Sequence, residues 1–275
     1  MRNKIAYQGE PGANSHIACN LYDDEVEAVA LKTFDHVFSS LKNGDVNLAM
    51  IPIENSIAGR VSDIHRLMPT SDVHIIGESF LKIQHCLMSL KDSSIGDIKY
   101  VRSHEMALSQ CRESIAKLNI EPVVSADTAG SAREVSELGD KSTAAIASPL
   151  ASEIYNLKIL KEEMEDAGHN TTRFLILSKD QVIPNNNEGN YITTLVFKIK
   201  NVPSALYKAL GGFATNGVNM LKLESYQLDG NFQSTQFYTD LEGHSESEHI
   251  KNAINELQYY SEEIKILGVY PSSRK

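Results

Sequence analysis

The feature that most constrains the fold is a polar, turn-forming stretch at residues 183–190, which separates two segments with different hydrophobic patterns. Proline fixes φ, and asparagine and glycine tolerate positive φ, so this composition favours a loop. We therefore expect one domain at residues 1–182, a linker at 183–190 and a second domain at 191–275.

Before the linker, short apolar runs alternate with amphipathic helical patterns. Leu108, Cys111 and Ile115 recur at helical spacing and predict one buried helix face. Strands are expected at 4–7, 28–31, 47–51, 73–80, 100–102, 122–125, 144–147 and 173–177, and helices at 34–41 and 106–118. This alternation predicts an α/β domain with a mostly parallel sheet, built either as one sheet or as two lobes.

After the linker, the predicted order is βαββαβ, the ferredoxin-like arrangement of an α+β domain. The strands are expected at 191–200, 218–227, 232–240 and 264–270, the helices at 205–216 and 245–259, and a hairpin turn at 229–231. Small sheets of this kind often cover an edge by pairing with a second copy of the chain.

Composition and charge exclude several classes of protein. The chain has 26 Lys and Arg against 36 Asp and Glu, a net charge of −10, and an acidic chain repels the phosphates of nucleic acids. No segment approaches the roughly 20 apolar residues that cross a bilayer, and residues 1–7 lack a signal-peptide core, so we expect a cytoplasmic protein without membrane contact. The three cysteines cannot all pair and form no CxxC motif, which favours reduced thiols and argues against a thiolate zinc site.

Four polar clusters lie at the ends of predicted strands, where α/β proteins usually bind ligands: 7–16, 52–61, 103–111 and 170–174. Ser15 is expected to cap a helix, and a helix start with free N–H groups can hold a carboxylate. Ser103 is expected to cap the helix that carries Gln110, and Arg173 offers a bidentate fork to a carboxylate. Each cluster alone is equally explained by turns, caps or a surface salt bridge.

Two further features bear on binding and catalysis: a helix start at residues 127–132 and the distribution of the histidines. Residues 127–132 start another helix, whose N-terminus favours anions. The histidines are scattered without a metal-binding or Ser-His-Asp pattern, and His85 is expected as a surface or hydrogen-bonded residue.

Taken together and in this order, the clusters resemble the prephenate dehydratase family, in its monofunctional form with a C-terminal ACT regulatory domain. The matching stretches are 7–16 (Y-x-G-x-x-G-x-x-S-H), 52–59 (P-I-E-N-S-x-x-G), Ser103-His104 with Gln110-Cys111, 127–132, and Asn170-x-Thr172-Arg173-Phe174. The resemblance covers nearly the whole chain. It implies a catalytic domain with two α/β lobes, like a type II periplasmic binding protein, whose chain enters the second lobe near 81–85 and returns near 170–173.

The resemblance implies conversion of prephenate to phenylpyruvate with loss of water and carbon dioxide, in L-phenylalanine biosynthesis. Aromatisation drives this reaction, so no cofactor or metal is expected. Hydroxide is a poor leaving group, and a donor must protonate or hydrogen-bond it as the C–O bond breaks.

The resemblance also implies roles for individual residues. Thr172 acts at the departing hydroxyl, and Arg173 binds a carboxylate. Glu54 or His104 tunes protonation. The remaining substrate contacts are expected from Asn55, Ser56, Ser103, Gln110, Thr128 and Ser131.

The second domain resembles a phenylalanine-sensing ACT domain, which implies feedback inhibition by L-phenylalanine and a homodimer or homotetramer. The effector contacts are expected from Ser204, Ala205, Leu206, Asn219, Glu224 and Ser225. The chain departs from the family motifs at three positions: Ser204 replaces Gly, Tyr226 replaces Arg and Gln227 replaces Pro.

Other functions stay open at this stage. Arogenate dehydratases carry out the same chemistry on an aminated substrate. A two-lobed domain with an ACT domain also suits a non-catalytic small-molecule binding or sensing module. A transcriptional regulator is disfavoured by the acidic charge and by the lack of a helix-turn-helix pattern.

Overall fold

The computed structural model describes residues 3–186, 189–228 and 231–274. The chain forms two compact units. The first comprises Met1–Val37, Met50–Val61 and Phe80–Phe174, and the second comprises Phe38–Ala49, Ser62–Ser79 and Leu175–Lys275. Within the described ranges, none of the helices has both the length and the apolar character needed to span a membrane. The domain limits at 182 and 191 stay a prediction, and residues 187 and 188 of the expected linker lie outside the described residues.

The elements alternate along the chain much as the hydrophobic pattern predicts. The strands are β1 (Lys4–Gln8), β2 (Glu27–Leu31), β3 (Leu48–Asn55), β4 (Gly59–Arg60), β5 (His74–Lys82), β6 (Cys86–Ser89), β7 (Tyr100–His104), β8 (Glu121–Ser125), β9 (Thr143–Ala147), β10 (Lys158–Lys161), β11 (Thr171–Ser178), β12 (Tyr191–Ile199), β13 (Met220–Leu228), β14 (Asn231–Glu242) and β15 (Ser261–Pro271). The helices are α1 (Asn14–Tyr22), α2 (Phe34–Asn43), α3 (Ser62–Thr70), α4 (Glu105–Gln110), α5 (Arg112–Leu118), α6 (Thr128–Leu138), α7 (Pro149–Ile154), α8 (Ala205–Thr215) and α9 (Glu248–Tyr260).

The first unit has two lobes, whose strands belong to two different sheets. In the first lobe β1 pairs in parallel with β2, and β3 lies between β1 and β11. The second lobe has the strand order β10-β6-β9-β7-β8, and all of these strands lie within residues 86–161. The chain therefore enters the second lobe after β5 and returns before β11, and the predicted two-lobed α/β fold is confirmed.

The central strand β9 explains why the second lobe carries helices on both faces. Successive strand residues point to opposite sides. Ala144 and Ile146 belong to the apolar cluster of α4 and α5, whereas Ala145 and Ala147 belong to the cluster of α6 and α7. Helix α4 follows β7 and α6 follows β8, so both helices begin at the carboxyl edge of the sheet.

Several elements differ from the sequence prediction. The short strands β4, β6 and β10 were not predicted, because two to four residues carry too little alternation to stand out. Strand β3 runs on to Asn55 and turns into antiparallel β4, and helix α3 begins only at Ser62.

The predicted helix 106–118 is interrupted at Cys111, which has φ −113° and ψ 16°. Its buried face is as predicted, since Leu108, Cys111 and Ile115 pack in one apolar cluster. A residue distant in sequence stabilises this break. The Asp166 carboxylate accepts the backbone N–H groups of residues 113 and 114, in the first turn of α5, at 2.9 and 3.1 Å. A cap from residue 166 leaves no local signal in the sequence.

The two predicted N-caps are wrong. Helix α1 has Ala13 at its N-cap, and Ser15 lies inside the helix. Strand β7 continues through Ser103, whose buried hydroxyl donates to the Ile146 carbonyl at 2.6 Å. The cap of α4 is His104, whose Nδ1 accepts the N–H of residue 106.

The C-terminal part of the second unit has the predicted βαββαβ order. Strands β13, β14, β12 and β15 are neighbours in that order, with antiparallel pairing, and α8 and α9 pack against their apolar cluster. Strand β5 adds to β15 in parallel at Ile75 and Gly268, where a Cβ on Gly268 would clash with the Ile75 carbonyl oxygen. The ferredoxin-like fold is confirmed, whereas residues 229 and 230 of the predicted hairpin turn lie outside the described residues.

The loop between β1 and α1 rests directly on α7 of the other lobe. A Cβ on Gly12 would lie 2.8 Å from the Cα of Ala151, and Gly12 has φ +90°. The Ser148 hydroxyl donates to the Gly12 carbonyl, and the Tyr155 hydroxyl donates to the Pro11 carbonyl at 2.9 Å. Glycine is therefore required here both by φ and by the close approach of the two lobes.

Gly12→Ala should lower the free energy of unfolding by about 2–4 kcal/mol, because the strained φ and the clash with Ala151 add. Gly139→Ala is the matched control. Gly139 has φ +67° with no atom within 4 Å of the added Cβ, so it should lose only ~1 kcal/mol. Urea unfolding measures both, and equal losses would contradict the close lobe contact.

Ser204 is the N-cap residue of α8 and lies in the left-handed region, with φ 63° and no side-chain cap hydrogen bond. This is the position at which the family motif has Gly. Left-handed backbone is costly for a residue with a Cβ. The departure from the motif is therefore strained locally.

Ser204→Gly should raise the free energy of unfolding by about 0.5–1 kcal/mol, because relief of the left-handed backbone outweighs the greater entropy of the unfolded glycine chain. Ser39→Gly, inside α2 and exposed, should lower it by a similar amount. A loss of stability in Ser204→Gly, measured by urea unfolding, would contradict the assigned strain.

Candidate active site

A cleft of about 270 Å³ in the first unit gathers polar side chains from both lobes. Asn55 and Thr172 come from the ends of β3 and β11 in the first lobe. Gln110 and Thr128 come from α4 and α6 in the second lobe. Four of the predicted site residues, distant in sequence, therefore line one cavity.

The orientation of the Asn55 amide is set by its own loop. Its Oδ1 accepts the backbone N–H groups of Ile57 at 2.9 Å and Ala58 at 2.8 Å. Only an oxygen can accept both, so Nδ2 is the donor that faces the other way.

Both protons of Asn55 Nδ2 are used. One goes to Asn170 Oδ1 at 2.7 Å and the other to Thr172 Oγ at 2.9 Å. The Thr172 oxygen is thus an acceptor in this contact, and its own proton has no partner in the described part of the chain. The Thr172 hydroxyl can therefore donate a hydrogen bond to a ligand in the cleft.

The assignment of hydrogen-bond donors and acceptors continues into the second lobe. Asn170 is 1% exposed, and because its Oδ1 accepts, its Nδ2 donates to Gln110 Oε1 at 2.9 Å. His85 Nε2 contacts the same oxygen at 2.9 Å. The Gln110 Nε2 group therefore keeps its two protons for another partner.

His85 was expected as a surface or hydrogen-bonded residue, and the structure places it inside the cleft with 3% exposure. Burial lowers its pKa, while its contacts with Gln110 and the charge of Glu165 oppose that change. The signal in the sequence was weak, since His85 stands alone between two strands and 25 residues before Gln110.

Ser56 fastens the Asn55 loop and does not line the cleft. Its hydroxyl donates to the His169 carbonyl at 2.8 Å and accepts the Thr171 N–H at 2.9 Å. Its backbone N–H donates to the Thr171 carbonyl. These bonds hold the loop after β3 against the start of β11.

Arg173 is 2% exposed and pairs with Glu54, with 3.0 Å between Nη1 and Oε1. Neither residue lines the cleft. The guanidinium that was expected to bind a substrate carboxylate thus has a carboxylate of its own chain. Its contact with substrate stays a prediction.

Ser103 and Ser131 are fully buried outside the cleft. Ser103 donates to Ile146 as described above, and the Ser131 hydroxyl donates to the Asp127 carbonyl at 2.7 Å. Thr128 does line the cleft, but the start of α6 already holds a carboxylate, since Asp127 Oδ1 accepts the Gly130 N–H at 2.6 Å. Among the described lining residues there is no Lys or Arg.

The predicted effector residues fall into two groups. Ser204, Ala205 and Leu206 line an open cavity of about 280 Å³ in the second unit. Asn219 donates to Glu242 at 2.9 Å and Glu224 pairs with Lys222 at 3.3 Å, and these two do not line that cavity, nor does Ser225.

Comparison with known proteins places the chain in a family. A family model described as prephenate dehydratase matches residues 5–182. A protein of Komagataeibacter europaeus, named bifunctional N-acyl-homoserine lactone acylase/prephenate dehydratase, is 46% identical over 98% of this chain and 96% of its own length.

Two further relatives agree. Arogenate dehydratase/prephenate dehydratase 2 of Arabidopsis thaliana, a chloroplastic protein, is 34% identical over 98% of this chain and 73% of its own. The crystal structure of prephenate dehydratase from Arthrobacter aurescens in complex with L-Phe superposes with a TM-score of 0.90, at 26% identity, over 98% of this chain and 90% of that chain. With its two lobes, its cleft and this match over most of its length, the chain belongs to the prephenate dehydratase family.

Proposed function

We propose that this protein converts prephenate to phenylpyruvate, water and carbon dioxide, as a step towards L-phenylalanine. The observation that carries the proposal is the directed hydrogen-bond chain of the cleft. It leaves the Thr172 hydroxyl and the Gln110 amide as donors without partners in the described part of the chain.

The chemistry matches these donors. The electron pair of the bond to the ring carboxylate moves into the ring, carbon dioxide leaves, and the C–O bond breaks to expel the ring hydroxyl. The departing oxygen gains negative charge and takes up one proton from the solvent to become water. The Thr172 O–H stabilises that charge, and donation from Asn55 to the Thr172 oxygen polarises the O–H and strengthens it as a donor.

Thr172→Val keeps the shape of the side chain and removes the hydroxyl. We expect kcat for phenylpyruvate formation to fall by about 10²–10³-fold, which is the usual contribution of one hydrogen bond to developing negative charge. The ultraviolet absorbance of phenylpyruvate measures the rate.

Thr171→Val is the matched control on the adjacent residue, which does not line the cleft. Its turnover should stay within about threefold of the unchanged protein. Near-full turnover in Thr172→Val would remove Thr172 from the mechanism.

Arogenate is the alternative substrate for the same chemistry, since it carries an ammonium group where prephenate has a keto oxygen. The Asp127 carboxylate lines the cleft and supports this alternative. The ratio of kcat/KM for the two substrates, measured on one preparation, decides between them.

A second candidate function is amide hydrolysis of N-acyl-homoserine lactones. It is favoured by the 46% identity to the Komagataeibacter relative that is named for both activities. The thiols do not support it, because burial raises the pKa of Cys19 to about 12 and that of Cys86 to about 11. Release of homoserine lactone from an acylated substrate is the direct assay.

We also propose that L-phenylalanine binds to the C-terminal domain of a homo-oligomer and inhibits the enzyme. The cavity lined by Ser204, Ala205 and Leu206 supports an amino-acid site there. The Arthrobacter structure with bound L-Phe, from a relative at 26% identity, supports the choice of ligand.

Millimolar L-phenylalanine should lower turnover and bind with measurable heat in calorimetry, because a coupling of about 1–3 kcal/mol is typical of such regulation. D-Phenylalanine is the control ligand and should do neither. Binding should persist in Thr172→Val, because Thr172 does not line the cavity of Ser204, Ala205 and Leu206. Equal activity with and without L-phenylalanine, together with no heat of binding, would reject this regulation.

A further inference from the structure

We propose that the start of α1 is a carboxylate subsite of the cleft, formed by the backbone N–H groups of Asn14 and Ser15 and by the Ser15 hydroxyl. The inference rests on the proposed function, because it gives a place to one of the two carboxylates of prephenate.

The first observation concerns the backbone. The N-cap of α1 is Ala13, which makes no side-chain cap hydrogen bond, and the Ala13 carbonyl takes the N–H groups of the third and fourth helical residues. The N–H groups of Asn14 and Ser15 have no partner among the described residues, and both residues line the cleft. Free N–H groups and the positive end of the helix dipole attract an anion.

The second observation is independent and concerns a side chain. Ser15 is only 8% exposed and lines the cleft, yet its hydroxyl has no hydrogen-bond partner in the described ranges. The Ser15 oxygen is accessible from the cleft, since it is not one of the buried side-chain atoms without a partner. Its hydroxyl can therefore donate to a ligand bound there.

Two other helices begin at the cleft, and a side chain caps each of them. At α4 the His104 Nδ1 accepts the N–H of residue 106, and at α6 the Asp127 carboxylate accepts the Gly130 N–H. Arg173, the cation of the sequence motif, is paired with Glu54. Of these three helix starts, only that of α1 has no side-chain cap among the described residues.

The loop before α1 is held in shape before any ligand arrives. His16 Nδ1 accepts the Gly12 N–H at 3.1 Å, and the His16 ring stacks on Tyr7 with 5.3 Å between centroids. Gly9 and Gly12, with φ +124° and +90°, allow the tight path. A preformed set of donors binds an anion without a cost of ordering.

Asn14→Asp is the most direct test, because the two side chains have the same shape and the change adds one negative charge at the subsite. We expect KM for prephenate to rise at least about tenfold while kcat stays within about threefold. The melting temperature should stay the same or rise, since a negative charge stabilises a helix start.

Asn20→Asp makes the same charge change in the last turn of the same helix and should leave KM within about twofold. Ser15→Ala should raise KM by about three- to tenfold. An unchanged KM in Asn14→Asp would overturn the subsite.

Calorimetry with phenylpyruvate, which carries one carboxylate, separates this inference from the proposed function. We expect its Kd to weaken at least about tenfold in Asn14→Asp and to stay unchanged in Asn20→Asp. If the unchanged protein fails to turn over prephenate, the proposed function falls, and this binding experiment still decides the subsite. The subsite would be overturned if phenylpyruvate did not bind to the unchanged protein. It would also be overturned if the unchanged protein and Asn14→Asp bound phenylpyruvate with equal Kd values.

Discussion

The orientation of one side-chain amide determines the chemistry available in the cleft. Two backbone N–H groups hold the Asn55 oxygen, so the nitrogen must donate to Asn170 and Thr172. Each donor and acceptor assignment along the hydrogen-bond chain follows from the one before it. The Thr172 proton and the Gln110 amide group are the donors that remain for a ligand. A carboxylate in place of the Asn55 amide could not donate, and the same atoms would then give a different site.

This hydrogen-bond chain also connects folding to function. Asn55 and Thr172 belong to the first lobe and Gln110 belongs to the second. These hydrogen bonds therefore form only in the lobe arrangement seen here. The close approach of Gly12 to Ala151 lies in that same arrangement. The hydrogen bonds of the site and the close contact of the two lobes therefore belong to one lobe arrangement.

The cleft offers a charged substrate no Lys or Arg. Its described lining includes the Asp127 carboxylate, and Arg173 is paired with Glu54 outside it. In the proposed reaction a carboxylate leaves as carbon dioxide. Uncharged donors stabilise that carboxylate less than an ion pair would, so a lining without Lys or Arg suits this step. Hydrogen bonds to uncharged groups still provide direction and specificity.

The sequence by itself determined the alternating order of strands and helices, the buried face of Leu108, Cys111 and Ile115, and the polar clusters at strand ends. These features depend on local periodicity and on turn chemistry, which neighbouring residues carry. Only the tertiary structure decided the cap that Asp166 supplies, the pairing of Arg173 with Glu54 and the place of His85 in the cleft. The reason is distance along the chain: Asn55 meets Asn170 across 115 residues, and no local pattern encodes which polar groups become partners once both lobes are folded.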